Sequence, residues 1–225
     1  MRTPIFALLF TVVSACAGEV VAPTVTPPTT LPPTSPPPTS PPPSISSTRT
    51  HQLTVDGIVR TYIVYAPSGV ASTQRLPVVF MLHGTSGDGL KFLQISEWRE
   101  KCEAVKCIAV FPSSLEYCII DEGVQKRTTK WHTSDLDRVA CSGQTLADDV
   151  KFFRAMNTAV ATIYSVEPKK IYVSGFSNGA GMASLLWAAA SDLLAGVASS
   201  AGFHSDSTIV STSRVPLFFH DWRDG

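Results

Sequence analysis

The sequence has no excess of charge of either sign: its 225 residues include 18 Lys and Arg and 18 Asp and Glu. Nucleic-acid binding requires a basic excess that neutralises phosphates, so the composition argues against nucleic-acid partners and against a polybasic membrane-surface protein. No apolar run reaches the length of about 18 residues that a membrane-spanning helix needs. Cysteine and histidine spacings typical of zinc are missing, as are calcium and nucleotide motifs, so the sequence implies no cofactor and no metal.

The first 16 residues have the features of a secretory signal peptide. Arg2 precedes the apolar run Pro4–Ala15, which is too short to cross a bilayer. An Ala-Cys-Ala sequence at positions 15–17 fits a cleavage site that would release a soluble protein. The preceding residues, Val13 to Cys16, also resemble a bacterial lipobox, in which Cys16 would be the lipidated first residue. We expect an extracellular protein, either soluble or attached to the membrane through a lipid on Cys16.

A proline-rich segment follows the signal region. The chain contains 17 prolines, and 11 of them lie between Pro23 and Pro43 among Thr and Ser residues. Proline fixes φ and lacks an N–H, so neither helix nor sheet is expected here. At about 3.1 Å per residue, an extended segment of this kind spans roughly 60 Å. We therefore predict a linker over residues 17–48 and one domain over residues 49–225.

The remaining sequence alternates between strand and helix patterns. Continuous apolar runs such as Leu76–Leu82 are typical of buried parallel strands, and Leu146–Tyr164 has the apolar spacing of a helix. The other predicted strands are His51–Val55, Arg60–Tyr65, Cys107–Phe111, Lys170–Ser174, Leu194–Ser200 and Val215–His220, and the other predicted helices are Ile95–Val105 and Gly179–Ala190. This alternation predicts an α/β fold with a mostly parallel sheet and helices on both of its faces.

A Gly-x-Ser-x-Gly motif lies between a predicted strand and a predicted helix. It reads Gly175-Phe176-Ser177-Asn178-Gly179, and its context is the one that a nucleophile elbow requires. Such a turn holds the serine in a strained conformation, and the glycines allow the helix to pack closely on the strand. The first amides of the helix then point towards the serine hydroxyl. We predict that Ser177 is a catalytic nucleophile.

Two further segments fit a site built around that serine. His83-Gly84-Thr85 follows a predicted strand, at the place where hydrolases with an elbow form the oxyanion hole, so the amides of Thr85 and Asn178 are the expected donors. We expect the His83 side chain to support this loop rather than to act as the base. Asp224 follows the last predicted strand and is our candidate for the acid of the triad, with Asp221 as the alternative.

These stretches together resemble the secreted esterases of the polyhydroxybutyrate depolymerase and feruloyl esterase group, which have the α/β-hydrolase fold. The resemblance covers about Thr50 to Gly225. It is carried by Arg60–Tyr62 with Tyr65–Pro67, Pro77–Gly84, Asp148–Val150 with Phe152–Phe153, Ile171–Met182, Ala198–Gly202 and Val215–Asp224. The family pattern near the end is His-Gly-Thr-x-Asp. Here His220 and Asp224 match it, whereas Asp221 and Trp222 depart from it.

The resemblance implies a serine carboxylic-ester hydrolase that forms an acyl-enzyme. The implied substrates are polyhydroxyalkanoates or feruloyl and acetyl esters of polysaccharides. Family members carry the catalytic histidine beyond a further helix and strand, so we expect this sequence to lack those elements and the chain alone to be unstable and nearly inactive. His204, His132 and His51 are weak substitutes. A surface-tethered protein without activity and a serine peptidase of the same fold remain alternatives.

Four cysteines besides Cys16 fit an oxidising compartment. An even number after an export signal suggests disulfides, and we favour Cys118 with Cys141 and Cys102 with Cys107 over free, buried thiols. Trp131 lies before the predicted long helix, in a region where the family places loops of the substrate groove. Its indole could stack on a phenolic acyl group or a sugar, or it could pack in the core.

Overall fold

The computed structural model describes residues 47–202, 211 and 213–220, which fold as a mixed sheet flanked by helices. The strands are β1 (Ser47–Val55), β2 (Ile58–Ala66), β3 (Leu76–Leu82), β4 (Ile108–Pro112), β5 (Leu115–Asp121), β6 (Val124–Lys130), β7 (Val166–Phe176), β8 (Gly196–Ser200) and β9 (Leu217–His220). The helices are α1 (Gly89–Ile95), α2 (Trp98–Val105), α3 (Ser134–Val139), α4 (Asp149–Ile163) and α5 (Asn178–Ala189).

The main sheet has seven strands in the order β1-β2-β4-β3-β7-β8-β9. The β1–β2 hairpin pairs antiparallel to β4, and every pairing from β4 to β9 is parallel. Parallel neighbours require crossover connections, and helices supply them between β4, β3 and β7 and between β7 and β8. The prediction of a mostly parallel sheet is confirmed.

Helices cover the sheet on both faces, as the sequence predicted. Alternate residues of β3 illustrate this, since Phe80 belongs to one buried cluster and Val79 belongs to another. The Phe80 cluster includes apolar residues of α4 and α5, and the Val79 cluster includes Leu93 of α1 and Cys102 of α2. Because successive side chains of a strand point to opposite faces, a run that is apolar at every position is buried on both sides.

The helix predicted over Ile95–Val105 is wrong in its extent. The structure has two helices in this region, α1 and α2, and the chain between them turns at Glu97, whose φ is +57°. A left-handed residue cannot continue an α-helix, so the apolar pattern on either side belongs to separate helices. Asp88 caps α1 by accepting a hydrogen bond from the Lys91 amide at 2.8 Å.

Three further elements were not predicted. Strands β5 and β6 form an antiparallel hairpin, and α3 follows it. Glu122 and Gly123 form the hairpin turn with φ values of +51° and +78°. Two consecutive positive φ values are the requirement of a type I′ turn, so the Glu-Gly dipeptide between β-prone residues was the overlooked signal.

Both favoured disulfides are present in the structure. Cys102 is joined to Cys107, and Cys118 is joined to Cys141, with Cα–Cα distances of 4.6 and 5.4 Å. The second bridge connects β5 to the segment that follows α3, and thereby anchors the hairpin to the domain. Within the ranges that the structure describes, no helix has the length and apolarity needed to cross a membrane.

A buried ion pair connects the β1–β2 hairpin to α4. The Arg60 guanidinium donates to Asp149 Oδ1 at 2.6 Å, and both side chains are 1% exposed. The guanidinium also lies 4.0 Å above the centre of the Phe152 ring. The second carboxylate oxygen of Asp149 accepts the His132 amide at 2.7 Å. Burial without a partner is costly for either charge, so the pair fixes three segments relative to one another.

Replacing Asp149 with Asn should therefore destabilise the fold strongly. Asp149→Asn leaves the Arg60 charge buried without its counter-charge, which costs about 3–5 kcal/mol of the free energy of unfolding. Asp192→Asn is the matched control, because Asp192 pairs with Arg154 at an exposed position and should contribute less than about 1 kcal/mol. Urea unfolding of both variants tests this, and equal losses would contradict it.

Candidate active site

The predicted nucleophile elbow is present at the end of β7. Ser177 has φ +54° and ψ −119°, a conformation that a residue with a Cβ adopts only under strain. Its carbonyl begins α5 by accepting the amides of Ala180 and Gly181 at 2.9 and 3.1 Å. Its own amide donates to Ser200 at the end of β8, at 2.9 Å. These bonds fix the turn between the strand and the helix.

The two glycines of the motif allow the helix to approach the sheet. A Cβ on Gly175 would lie 2.0 Å from the Gly179 carbonyl oxygen, and a Cβ on Gly179 would lie 2.2 Å from the Leu82 carbonyl oxygen. Neither position can hold a side chain unless the backbone moves. The steric reason given for the motif from the sequence therefore corresponds to contacts in the structure.

The loop after β3 lies directly against the elbow. A Cβ on Gly84 would be 3.3 Å from the Ser177 Cβ, so the loop backbone passes beside Ser177. Thr85 is exposed, and its amide has no acceptor within the part of the chain that the structure describes. Asn178 is the first residue of α5, and the first amides of a helix have no partner within it. The two expected oxyanion donors are thus on adjacent segments.

His83 supports the loop after β3, as expected. Its Nε2 accepts the Ser114 amide at 3.1 Å, so Nε2 carries no proton and Nδ1–H donates to the Gly84 carbonyl oxygen at 2.7 Å. The side chain is 1% exposed, and burial lowers the pKa of His83 below its ordinary value. The imidazole is neutral with both nitrogens engaged, which leaves no lone pair for the Ser177 hydroxyl.

The structure places Trp131 in the core rather than in a groove. The side chain is 2% exposed, and its indole N–H donates to the His83 carbonyl oxygen at 2.8 Å. Its backbone amide donates to Asn178 Oδ1 at 2.7 Å. A ring buried in this way offers no face to a substrate, so the geometry favours the packing alternative. Trp131 joins the elbow to the loop after β3, a role that the sequence analysis did not foresee.

His132 forms a hydrogen-bonded ion pair beside this segment. Its Nδ1 lies 2.8 Å from the Ala147 carbonyl oxygen and its Nε2 lies 2.9 Å from a carboxylate oxygen of Asp137. Both partners are acceptors, so both ring nitrogens donate. Burial acts to lower the pKa of His132, but the Asp137 carboxylate and the Ala147 carbonyl outweigh it and raise the pKa above its ordinary value.

Several of the predicted functional residues lie outside the described residues. These are the candidate acid Asp224, its alternative Asp221, the candidate lipidation site Cys16 and His204. No described histidine is hydrogen-bonded to the Ser177 hydroxyl. His51 bonds Tyr164, the rings of His83 and His132 are engaged as above, and His220, at the end of β9, makes no such bond either. Among the same residues, no three His, Cys, Asp or Glu side chains are grouped so that they could hold a metal ion.

The sheet order and the serine elbow define an α/β-hydrolase. The model of the family "Esterase PHB depolymerase" matches residues 60–215, and the chain belongs to this family. The match contains most of β2, the loop after β3, the Trp131 segment and the whole elbow. The resemblance stated from the sequence is thereby confirmed.

Individual relatives agree with this assignment. Feruloyl esterase B of Piromyces equi is 28% identical over 142 residues, which are 63% of this chain and 24% of that protein. A ferulic acid esterase structure superimposes with a TM-score of 0.53 at 16% identity, over 70% of this chain and 59% of its own. The structure of a thermostable esterase superimposes with a TM-score of 0.56 at 15% identity, over 77% of this chain and 45% of its own. This chain thus spans a quarter to about three fifths of the length of these proteins, and the structural likeness shows the fold.

The elbow should not tolerate alanine at its second glycine. In Gly179→Ala the new Cβ would overlap the backbone after β3, so we expect a loss of about 3 kcal/mol or more in the free energy of unfolding. Gly181→Ala is a matched control on the same helix, because its Cβ would meet its nearest neighbour, Thr133, at 3.9 Å. That variant should gain up to about 1 kcal/mol through helix propensity. Thermal or urea unfolding measures both, and equal effects would contradict the packing described here.

The His132–Asp137 pair should make stability depend on pH. Because the pKa of His132 is raised in the folded state, the pair stabilises the protein below the ordinary value of 6.5, and this contribution is lost as the pH rises through the folded-state pKa. Asp137→Asn should remove the fall in unfolding free energy with rising pH that His132 causes. Asp121→Asn breaks an exposed pair with Lys126 and should leave that pH dependence unchanged. The test is the difference in unfolding free energy between wild type and each variant from pH 5 to 9. A constant difference for Asp137→Asn would refute the assignment.

Proposed function

We propose that the protein is a serine carboxylic-ester hydrolase with Ser177 as its nucleophile. The observation that carries this proposal is the strained serine at the start of α5, beside a loop whose Thr85 amide lacks an acceptor in the described residues. A strained, half-buried serine whose side chain makes no capping hydrogen bond to its helix is costly for a purely structural turn. Membership of the esterase family supports the same conclusion.

The reaction has two steps. The Ser177 oxygen attacks the ester carbonyl carbon while a base removes the hydroxyl proton, and the carbonyl oxygen becomes an oxyanion between the amides of Thr85 and Asn178. Collapse breaks the bond to the alcohol, which leaves with the proton and gives an acyl-enzyme. Water then attacks the acyl group by the same route, releasing the carboxylic acid and restoring the serine.

The base in this proposal is a histidine oriented by Asp224; it is neither one of the described histidines nor His204, which is only a weak substitute. The side chains of His51, His83 and His132 already form other hydrogen bonds, and the His83 imidazole in particular holds the loop after β3. A base near neutral pH is needed because a serine hydroxyl is a weak nucleophile at its free pKa. His220 and Asp224 match the family's sequence pattern at the end of the last strand, which supports Asp224 as the acid over Asp221.

The substrates that we propose are polyhydroxyalkanoates or feruloyl and acetyl esters of plant polysaccharides. The family description names a polyhydroxybutyrate depolymerase, and the curated relative is named a feruloyl esterase. Both groups of substrate are polymers too large to enter a cell. The signal-like N-terminus, the Pro-rich linker and two disulfides support a secreted enzyme that reaches such polymers. A lipid on Cys16 would hold it at the cell surface.

A fluorophosphonate probe tests the nucleophile in the full-length protein. The serine oxygen forms a bond to phosphorus and fluoride leaves, so mass spectrometry should find the adduct on the peptide that contains Ser177. Ser177→Ala should abolish labelling. Ser174→Ala, on the same strand, should retain it.

The absence of an adduct on the wild-type protein would overturn the proposal and favour a surface-tethered binding protein without activity. If labelling occurs, a panel of ester and peptide substrates distinguishes an esterase from a serine peptidase. Hydrolysis of the peptides without hydrolysis of the esters would favour the peptidase.

A further inference from the structure

The two amides of the oxyanion hole are oriented by different parts of the protein. A trans peptide is planar, so its N–H and C=O point in opposite directions, and fixing one fixes the other. The Asn178 N–H belongs to the same peptide as the Ser177 carbonyl, which is held by two amides of α5 at 2.9 and 3.1 Å. The helix itself therefore determines the direction of the Asn178 amide.

The Thr85 amide has no helix to orient it. It belongs to the same peptide as the Gly84 carbonyl, which accepts a hydrogen bond from the Gly87 amide at 3.1 Å and one from His83 Nδ1 at 2.7 Å. The Gly87 bond lies within the loop, which β6 also holds, because the Ser86 amide donates to the Thr129 carbonyl oxygen at 2.9 Å and Thr129 Oγ1 donates to the Gly87 carbonyl oxygen at 2.5 Å. The bond from His83 comes from a side chain that is 1% exposed and held in the core.

His83 is fixed from three sides. The Ser114 amide donates to its Nε2 at 3.1 Å, the Trp131 indole N–H donates to its carbonyl oxygen at 2.8 Å, and the Trp131 ring lies 4.9 Å from the imidazole between centroids. Gly87 passes so close to the ring that a Cβ there would lie 2.9 Å from Nδ1. The imidazole is therefore a rigid link between the core and one carbonyl of the loop.

We propose that His83 is a positioning residue whose Nδ1–H···Gly84 bond directs the Thr85 amide towards the oxyanion. The inference rests on the proposed esterase function for its kinetic consequence, but not for the orientation of the amide. The function of the imidazole is to donate from Nδ1 while Nε2 accepts, and this requires the neutral ring. A purely structural role would need the volume of the side chain but not this particular donor.

Two substitutions separate the two hydrogen bonds of the ring. In His83→Asn the side-chain NH₂ lies near the position of Nδ1 and keeps the donor to Gly84. In His83→Gln the terminal amide lies near Nε2, where its oxygen accepts the Ser114 amide, and the donor to Gly84 is lost. Both replace the ring with a smaller neutral amide, so they are matched in chemistry and differ in which bond survives.

Kinetics on the full-length protein give the first measurement, with a soluble aryl ester. A misdirected oxyanion donor weakens the transition state without weakening substrate binding, so His83→Gln should lower kcat by about 10- to 100-fold with KM nearly unchanged. His83→Asn should retain kcat within about 5-fold of wild type. Equal losses in the two variants, or a loss expressed in KM, would overturn the proposal.

The second measurement does not depend on activity. The residual dipolar coupling of a backbone N–H reports the direction of that bond directly. The coupling of the Thr85 N–H should differ from the wild-type value in His83→Gln and keep that value in His83→Asn. The coupling of the Asn178 N–H should keep its wild-type value in both variants. An unchanged Thr85 coupling in His83→Gln would refute the positioning role. If the wild-type protein neither hydrolyses esters nor reacts with the fluorophosphonate, the proposed function is refuted. The couplings would still show whether His83 orients the Thr85 amide.

Discussion

The buried ion pair between Arg60 and Asp149 is the interaction on which the geometry of the site depends. Asp149 begins α4, and its two carboxylate oxygens bind the Arg60 guanidinium and the His132 amide. The residue before His132 is Trp131, which binds Asn178 on one side and the His83 carbonyl on the other. A buried charge that is satisfied on both oxygens has little freedom, and that rigidity extends through two consecutive residues to both walls of the proposed oxyanion hole.

The parts of this site that could be predicted are those in which a local pattern has a steric cause. The elbow was predictable because only glycine fits at positions 175 and 179. A Cβ at these positions would lie 2.0 and 2.2 Å from a backbone carbonyl oxygen. The position of β3 followed from a continuous apolar run, since a parallel strand is buried on both faces. The support of the loop by His83 followed from its place directly after that strand.

The parts that could not be predicted depend on pairs of residues far apart in the chain. Arg60 and Asp149 are 89 residues apart, and neither identifies the other in the sequence. A carboxylate at position 149 fits the start of a helix equally well, but its neighbour Asp148 performs that function by accepting the Lys151 amide. Trp131 could not be assigned because an aromatic residue before a helix fits a groove and a core equally well. Trp131 directly follows β6 of the hairpin whose turn was overlooked, and it packs in the main core.

The two proposed oxyanion amides, those of Asn178 and Thr85, are oriented in different ways, one by the backbone of a helix and the other by a side chain. At the elbow, regular helix bonds hold the Ser177 carbonyl, so the Asn178 amide needs only a helix and two glycines. In the loop after β3 there is no regular structure, and the corresponding carbonyl of Gly84 is held by one buried imidazole. Tolerance to substitution should differ accordingly, because a helix distributes its constraint over many backbone bonds, whereas His83 is the side chain that holds the Gly84 carbonyl in the loop. We therefore expect the pair corresponding to His83-Gly84 to vary less among members of the family than the residues of α5.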